Sequence, residues 1–368
     1  MKKWRLAVLT VALSVIGACS GKSELDEPVT EPTLPQVFAL EVSNVTENGA
    51  EVLCELVSDG DAMLLDKGVV FGTEADPDLE TGVKVSAGRG PGRFSVSLDK
   101  LDDWKVYHLR TYATNTVGTA YGTDVVFETK AKKVRVFNLN GIIFKMVFVE
   151  GGTFTMGAMD DDTEAESYEK PAHKVTLDSY YIGQCEVTKD VWNMVMEGRA
   201  PDLSEQNIRY LPAVQQSWQS CQDFISKLNE MTGESFSMPT EAQWEYAARG
   251  GKKSAGYLYA GGNGIEDVAW YYANALSNVR TVALKTPNEL GLYDMTGNVG
   301  EWCEDWYDYY SAEDQVNPVC DKVNENGFRV MRGGSVINDP DWCRVTHRFG
   351  VTENSRLFFV GLRLVLGR

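Results

Sequence analysis

The stretch from Gly291 to Trp306, GLYDMTGNVGEWCEDW, gathers oxygen donors Asp294, Asn298, Glu301, Glu304 and Asp305 between the aromatic anchors Tyr293, Trp302 and Trp306. Gly297 and Gly300 free the backbone to turn within it. Hard cations take carboxylate and carbonyl oxygens, and a loop relieved by glycine can bend both kinds inward. Two readings follow: a cradle for such a cation, or an acidic surface loop hung on aromatic core residues.

Other chemistries find less support. The three histidines, His108, His173 and His347, are far apart in sequence and give no metal-ligand spacing. A Ser, His and Asp triad could assemble only in space, for there is no nucleophile-elbow motif. Gly261-Gly262-Asn263-Gly264 lacks the strand and lysine context of a phosphate loop. Glu241 and Glu245 share one helical face; because i to i+4 spacing joins Glu245 to Arg249, they are read as a buried structural network rather than an acid pair. Arg344, Arg348 and Arg363 are read as salt-bridge partners, and Cys54, Cys185 and Cys221 as core residues, with Cys320 in a loop.

The elements that must position these residues are legible in part. Phe144 to Thr155 alternates as a strand, and the acidic run Asp160 to Glu169 reads as a solvated loop. Ser217 to Met231 spaces Trp218, Cys221, Phe224, Ile225 and Leu228 as the buried stripe of a helix that Gly233 stops. Thr240 to Gln243 opens another helix with a capping box.

Ahead of these lies an all-β region. From Val37 to Thr129, six alternating segments separated by Gly, Asp, Asn and Pro predict an antiparallel immunoglobulin-like sandwich, with boundaries at 36–130. Tyr107, six residues after Leu101, is placed to form a tyrosine corner. YHLRTYATNTVGTAYG resembles fibronectin type III-like modules of Bacteroidetes surface proteins. At the start, Lys2, Lys3 and Arg5 precede the apolar run Leu6 to Val15, and Ile16-Gly17-Ala18-Cys19 resembles a lipoprotein lipobox. The expectation is a signal over residues 1–19, acylation of Cys19, a tether over 20–35, and a membrane partner in the form of an outer-membrane lipid anchor facing the periplasm or the exterior. With 53 acidic against 35 basic side chains, a net charge of −18 disfavours nucleic acid as a partner.

From about residue 137 to 368 the chain resembles the formylglycine-generating enzyme (sulfatase-modifying factor) family. The segments that carry the likeness are MVFVEGGTFTMG (Met146 to Gly157), MPTEAQWEYAARGG (Met238 to Gly251), PNELGLYDMTGNVGEW (Pro287 to Trp302), FRVMRGGS (Phe328 to Ser335) and VGLRLV (Val360 to Val365), in that order. The resemblance implies a loop-rich α+β fold related to C-type lectins, with a strand at Ile182 to Thr188 and a helix opening at Lys189. It also implies one calcium ion, held by the Asp294 side chain, the Gly297 and Val299 carbonyls and the Glu301 side chain. The family's other calcium site keeps only Asn274, because Ser277 to Val282 replaces its acidic loop.

Family catalysis uses two cysteines five residues apart that bind copper and oxidise a sulfatase cysteine to formylglycine. Here Cys343 occupies the second position and Ser335 a serine near the oxygen pocket, and both are the candidate catalytic residues. Asn338 occupies the first position, and Gly300 stands where the family has a tryptophan. An amide supplies no thiolate, so the expectation is a binding or assembly module with a protein or glycan partner in the envelope, without copper. A divergent formylglycine-generating oxidase and a calcium-dependent glycan-binding protein are the alternatives. For Cys343 the expectation is a disulfide with Cys303, against a rearranged pair of Cys343 with Cys303 or Cys320.

Overall fold

A computed structural model describes residues 31–159, 162–199, 209–323 and 327–367. The expected signal and its Cys19 lie outside the described residues. The chain divides into two compact units after Lys130.

In the first unit eight strands are described: β1 (Gln36–Ser43), β2 (Ala50–Ser58), β3 (Leu64–Gly72), β4 (Val83–Gly88), β5 (Gly92–Leu98), β6 (Val106–Asn115), β7 (Thr119–Tyr121) and β8 (Val125–Glu128). They form two antiparallel sheets, β1-β2-β5 and β4-β3-β6-β7, with β8 also on β6. β4 and β7 add to the six expected segments. Val52, Cys54 and Val96 of one sheet share a core with Val69, Tyr107 and Leu109 of the other. The Tyr107 hydroxyl accepts the Asp102 N–H at 2.9 Å, the bond that a tyrosine corner requires. Thr33, expected in the tether, is tied into this unit instead: its N–H bonds to Gly60 O at 2.8 Å.

The second unit is built from short pieces: β9 (Val134–Leu139), β10 (Ile142–Val149), β11 (Gly152–Met156), β12 (His173–Leu177), β13 (Tyr180–Gly183), β14 (Phe236–Ser237), β15 (Gly300–Trp306), β16 (Gln315–Val316), β17 (Phe328–Arg332), β18 (Arg348–Thr352), β19 (Val360–Gly361) and β20 (Val365–Leu366). They make a five-stranded sheet, β14-β20-β13-β10-β9, a four-stranded sheet, β18-β17-β15-β19, and a three-stranded sheet, β11-β12-β16. The expected strand Phe144 to Thr155 is broken at Glu150 and Gly151, where a Cβ on Gly151 would fall 2.4 Å from Leu177 O. The strand expected over Ile182 to Thr188 stops at Gly183. Cys185 to Val187 runs on as loop, and Thr188 is the N-cap of α1 (Lys189–Glu197).

Helix α2 (Trp218–Thr232) buries the five residues its spacing marked, starts where the Ser217 side chain accepts the Ser220 N–H, and ends at Gly233 with φ of 73°. Its Phe224 ring stacks on Trp192 of α1 at 4.7 Å. Helix α3 (Glu241–Ala248) carries both capping-box bonds: Gln243 N–H to Thr240 Oγ1 at 3.1 Å and Thr240 N–H to Gln243 Oε1 at 2.9 Å. Unlike α2 it is buried on nearly every side, with Glu241, Trp244, Glu245 and Tyr246 all inside. An eight-residue helix is marginal by itself, so its geometry depends on the cap and on what surrounds it. Replacing Thr240 by Ala is expected to cost about 1 kcal/mol in denaturant unfolding, with a lower midpoint and an unchanged slope.

Candidate functional site

The two regions singled out by sequence meet around α3 and β15. Strand β15 pairs antiparallel with β17, Glu301 opposite Arg332, and in parallel with β19, Glu301 opposite Gly361. This register brings Arg363, just past β19, onto the fully buried Glu301. Arg363 Nη2 donates to Oε1 at 2.6 Å and Nε reaches both oxygens at 2.9 Å. Trp244 Nε1 of α3 donates to Oε2 at 2.6 Å. Arg332 donates to Glu245 at 2.6 Å and Glu241 at 3.1 Å, and Arg348 Nε donates to Glu241 at 2.7 Å. Arg249 pairs with Glu245 at 2.8 Å, the i to i+4 contact expected. Arg344, expected to form an ion pair, does so with Glu169 at 2.7 Å, a partner the sequence did not indicate, and this corrects one reading: Glu169 ends the supposed solvated loop yet is wholly buried. Burial works against its charge, but the nearby His347 at 3.5 Å, the two bonds from Arg344 and the adjacent Thr346 prevail and hold its carboxyl at about 2.

The expected calcium loop is present as a loop but is closed by other means. Asp294 and Asn298 take left-handed backbone, as does Gly297, where a Cβ would lie 2.3 Å from Trp270 O. Asn298, which sequence offered as a donor, is consumed in tying loops together. Its Nδ2 donates to Glu186 Oε1 at 3.0 Å, and its Oδ1 accepts the Arg280 N–H at 2.9 Å. Asp294 Oδ2 accepts the Ala283 N–H at 2.7 Å, leaving Oδ1 buried and without a partner. Glu301 has both oxygens filled by Arg363 and Trp244, so the set of Asp294, Gly297, Val299 and Glu301 does not fit a calcium ion as it stands, and the cation at this carboxylate is a guanidinium. Asn274 of the other site is likewise used up, accepting the Tyr271 N–H and donating to Ala269 O at 2.9 Å each.

Ser335, Asn338 and Cys343 do come together. Ser335 Oγ donates to Asn338 Oδ1 at 2.6 Å. The buried Cys343 Sγ lies against the Gly333-Gly334 turn, where a Cβ on Gly334, at φ of 69°, would approach it to 2.7 Å. Burial pushes this thiol up to about 12, only partly offset by the Ser335 backbone N–H. The donors are therefore one thiol and one amide, where a cuprous ion takes two thiolates, a set that does not fit it. At Gly300 a Cβ would meet Met331 Sδ at 2.6 Å, so Met331 fills the space in which the family's tryptophan would start.

The expected Cys303–Cys343 disulfide is absent: both are free and buried, Cys303 in the main core with Trp244 and Val330, Cys343 in a separate cluster with Tyr259 and Tyr271. Neighbouring turns in sequence order did not bring the two sulfurs to one place. Cys320, the other expected partner, is also free, its thiol directed at Lys322 O.

Sequence reasoning passed over Glu186, which is buried and lies among Asp294, Glu301 and Arg363. Its signal was slight: in IGQCEVT it is the one acid, set between Cys185 and Val187 in a segment expected to be a strand. Burial, then Asp294, pushes Glu186 well above the carboxylate range, and burial raises Asp294 to about 6. Burial and Glu241 raise Asp305 to about 7 against two backbone N–H bonds.

Replacing Arg363 by Met would leave Glu301 buried with no guanidinium, and is expected to destabilise by about 3–5 kcal/mol; the double variant with Glu301→Gln should recover part of the loss. Asp294 and Asp305 bind protons more tightly folded than unfolded, so their contribution to stability is fullest below about 3.8 and declines as pH rises through about 6 and 7. Glu169 contributes in the opposite sense, above about 4.5, and is lost as pH falls towards 2. Asp305→Asn should flatten the decline between pH 4 and 7 in a series of thermal midpoints.

The comparisons with known proteins agree with this geometry. The family model described as "Sulfatase-modifying factor enzyme 1-like domain" matches residues 138–367. The chaperone protein LppX of Paenibacillus barcinonensis is 27% identical over 60% of this chain and 88% of its own length. The formylglycine-generating enzyme of Bos taurus is 25% identical over 60% of this chain and 74% of its own. Among solved structures, Treponema denticola variable protein 1 superposes with a TM-score of 0.57 at 25% identity, covering 64% of this chain and 99% of that one. Through its second unit, the chain belongs to the sulfatase-modifying factor enzyme 1-like family.

Proposed function

We propose that the protein is a cell-envelope lipoprotein whose sulfatase-modifying-factor domain serves as a binding or assembly module without copper-dependent formylglycine generation. The observation that carries this reading is Asn338 bonded to Ser335 at the position of the family's first cysteine. Oxygen activation on copper needs two soft thiolates, and the amide of Asn338 leaves one sulfur. The role named for the LppX relative, a chaperone, supports a protein as the partner. The lipobox at Cys19 supports a lipid anchor. No helix among the described residues is long and apolar enough to cross a membrane.

A second reading, a divergent oxidase that matures secreted sulfatases, is favoured by one observation: Cys343 and Ser335 remain in contact through the Ser335 backbone. Incubation with a CxPxR peptide, reductant and Cu(I), followed by mass spectrometry, separates the two. The expected result is no loss of cysteine and no stoichiometric Cu(I) binding; conversion of the thiol to an aldehyde would overturn the proposal. Asn338→Cys, which supplies a second sulfur, should gain Cu(I) binding if the pocket is otherwise intact.

A further inference from the structure

The two ends of the first unit differ. Strand register puts the entry to β1 and the β2–β3, β4–β5 and β6–β7 turns at one end, with Gln36 opposite Ser58, Leu64 opposite Asn115, Lys67 opposite Gly88 and Leu56 opposite Gly92. At that end Leu34, Met63 and Val117 are 47%, 62% and 50% exposed. The turns at the other end, 44–49, 73–82 and 99–105, leave no large apolar side chain exposed. One apolar side chain at a surface is ordinary, but three at the tips of converging segments make a patch.

Asn115, 2% exposed, gathers these segments. Its Nδ2 donates to Thr33 O at 2.6 Å and to Asp59 O at 2.8 Å, and its Oδ1 accepts the Val117 N–H at 2.8 Å and the Gly118 N–H at 3.1 Å. A Cβ on Gly118 would come within 2.9 Å of Leu34 Cδ2, so Leu34 lies against the β6–β7 turn. The apolar side chains are therefore held where the preceding chain joins the unit. Thr33 is the fourteenth residue after Cys19, and fourteen residues span at most about 50 Å even when fully extended. With Cys19 acylated, that short span holds this end beside the bilayer at high effective concentration, so a contact too weak to recruit a free protein is still made. The link to the second unit leaves from the opposite end, where the Lys130 N–H bonds Thr46 O at 3.0 Å. Charge does not choose the surface. Arg93 pairs with Glu55 at 3.4 Å, and the same turns carry Arg89 together with Asp59 and Asp61, so hydrocarbon must carry the contact.

We propose that this end of the first unit is a bilayer-contact surface, on which Leu34, Met63 and Val117 enter the headgroup boundary of the membrane that holds the chain. The proposal rests on the lipid anchor proposed at Cys19.

The test uses the full chain, made in a bacterium that acylates lipoproteins and reconstituted in phosphatidylcholine vesicles. Benzoylphenylalanine replaces Met63, Val117 or, as the control at the opposite end, the exposed Glu47. After irradiation, mass spectrometry reads the lipid adducts and the acylation of the N-terminal peptide. The expected result is about tenfold or more adduct from positions 63 and 117 than from position 47. Leu34→Asp with Met63→Asp should lower the yield from position 117 about fivefold or more at an unchanged thermal midpoint. An acylated chain that gives equal adduct at the three positions, none at any, adducts to a second copy of the chain in place of lipid, or a yield that survives both aspartates overturns the contact and leaves the anchor standing. An N-terminal peptide without acyl groups overturns the anchor, and the contact with it.

Discussion

Everything in the second unit leans on carboxylates that have been taken out of water and given guanidinium partners. Glu241, Glu245 and Glu301 are buried with Arg332, Arg348 and Arg363, and all six residues are at most 4% exposed. Desolvating such charges costs several kcal/mol apiece, and the cost is recovered only where geometry is good and the remaining lone pairs are filled. Here all but Arg332 Nε are filled: Trp244 completes Glu301, the Val345 carbonyl accepts from Arg332, and the Asp308 carbonyl accepts from Arg348. The family motifs around α3, β15, β17 and β19 are, in this light, the two sides of these pairs. Strands of two to eight residues could not hold such a unit by ladder bonds alone. The arginines act as its cross-links.

The same network takes up the carboxylate on which the expected cation loop relied. A carboxylate accepts about four hydrogen bonds, and Arg363 with Trp244 supplies four contacts to Glu301. Local negative charge is still in excess, because Glu186 and Asp294 join Glu301 around one guanidinium. The surplus is met by raised proton affinity at Glu186 and Asp294. The geometry near Cys343 follows a similar logic of substitution. Met331 takes the room above Gly300, and an amide accepts the Ser335 hydroxyl where the family has sulfur.

What could be seen in the sequence was what neighbours in the chain decide. The cap of α3 is written in Thr240 and Gln243, and the buried stripe of α2 in its spacing, because both interactions close within one turn. Tyr107 was legible for the same reason, reaching only to Asp102. Failures came where the partner is distant. Glu169 looks solvated until Arg344, 175 residues on, is placed against it. The sulfurs of Cys303 and Cys343 looked close because the turns before them were placed by analogy, yet each fell into its own core cluster. Glu186 was missed for the same reason: Asn298, Asp294 and Arg363, which surround it, are more than a hundred residues on.

The five-stranded sheet has β20 as an inner strand, between β14 and β13, and Arg363 beside it bonds Gly183 O across 180 residues of chain. During synthesis β13 and β14 therefore wait, with open backbone edges and an apolar face, until the segment carrying Arg363 and Val365 has emerged. Long-range closure of this kind is slow and leaves partly made chains adhesive. A protein built this way reaches its folded state only after nearly the whole unit is available, so protection of the growing chain from self-association is a requirement that its topology imposes on the cell.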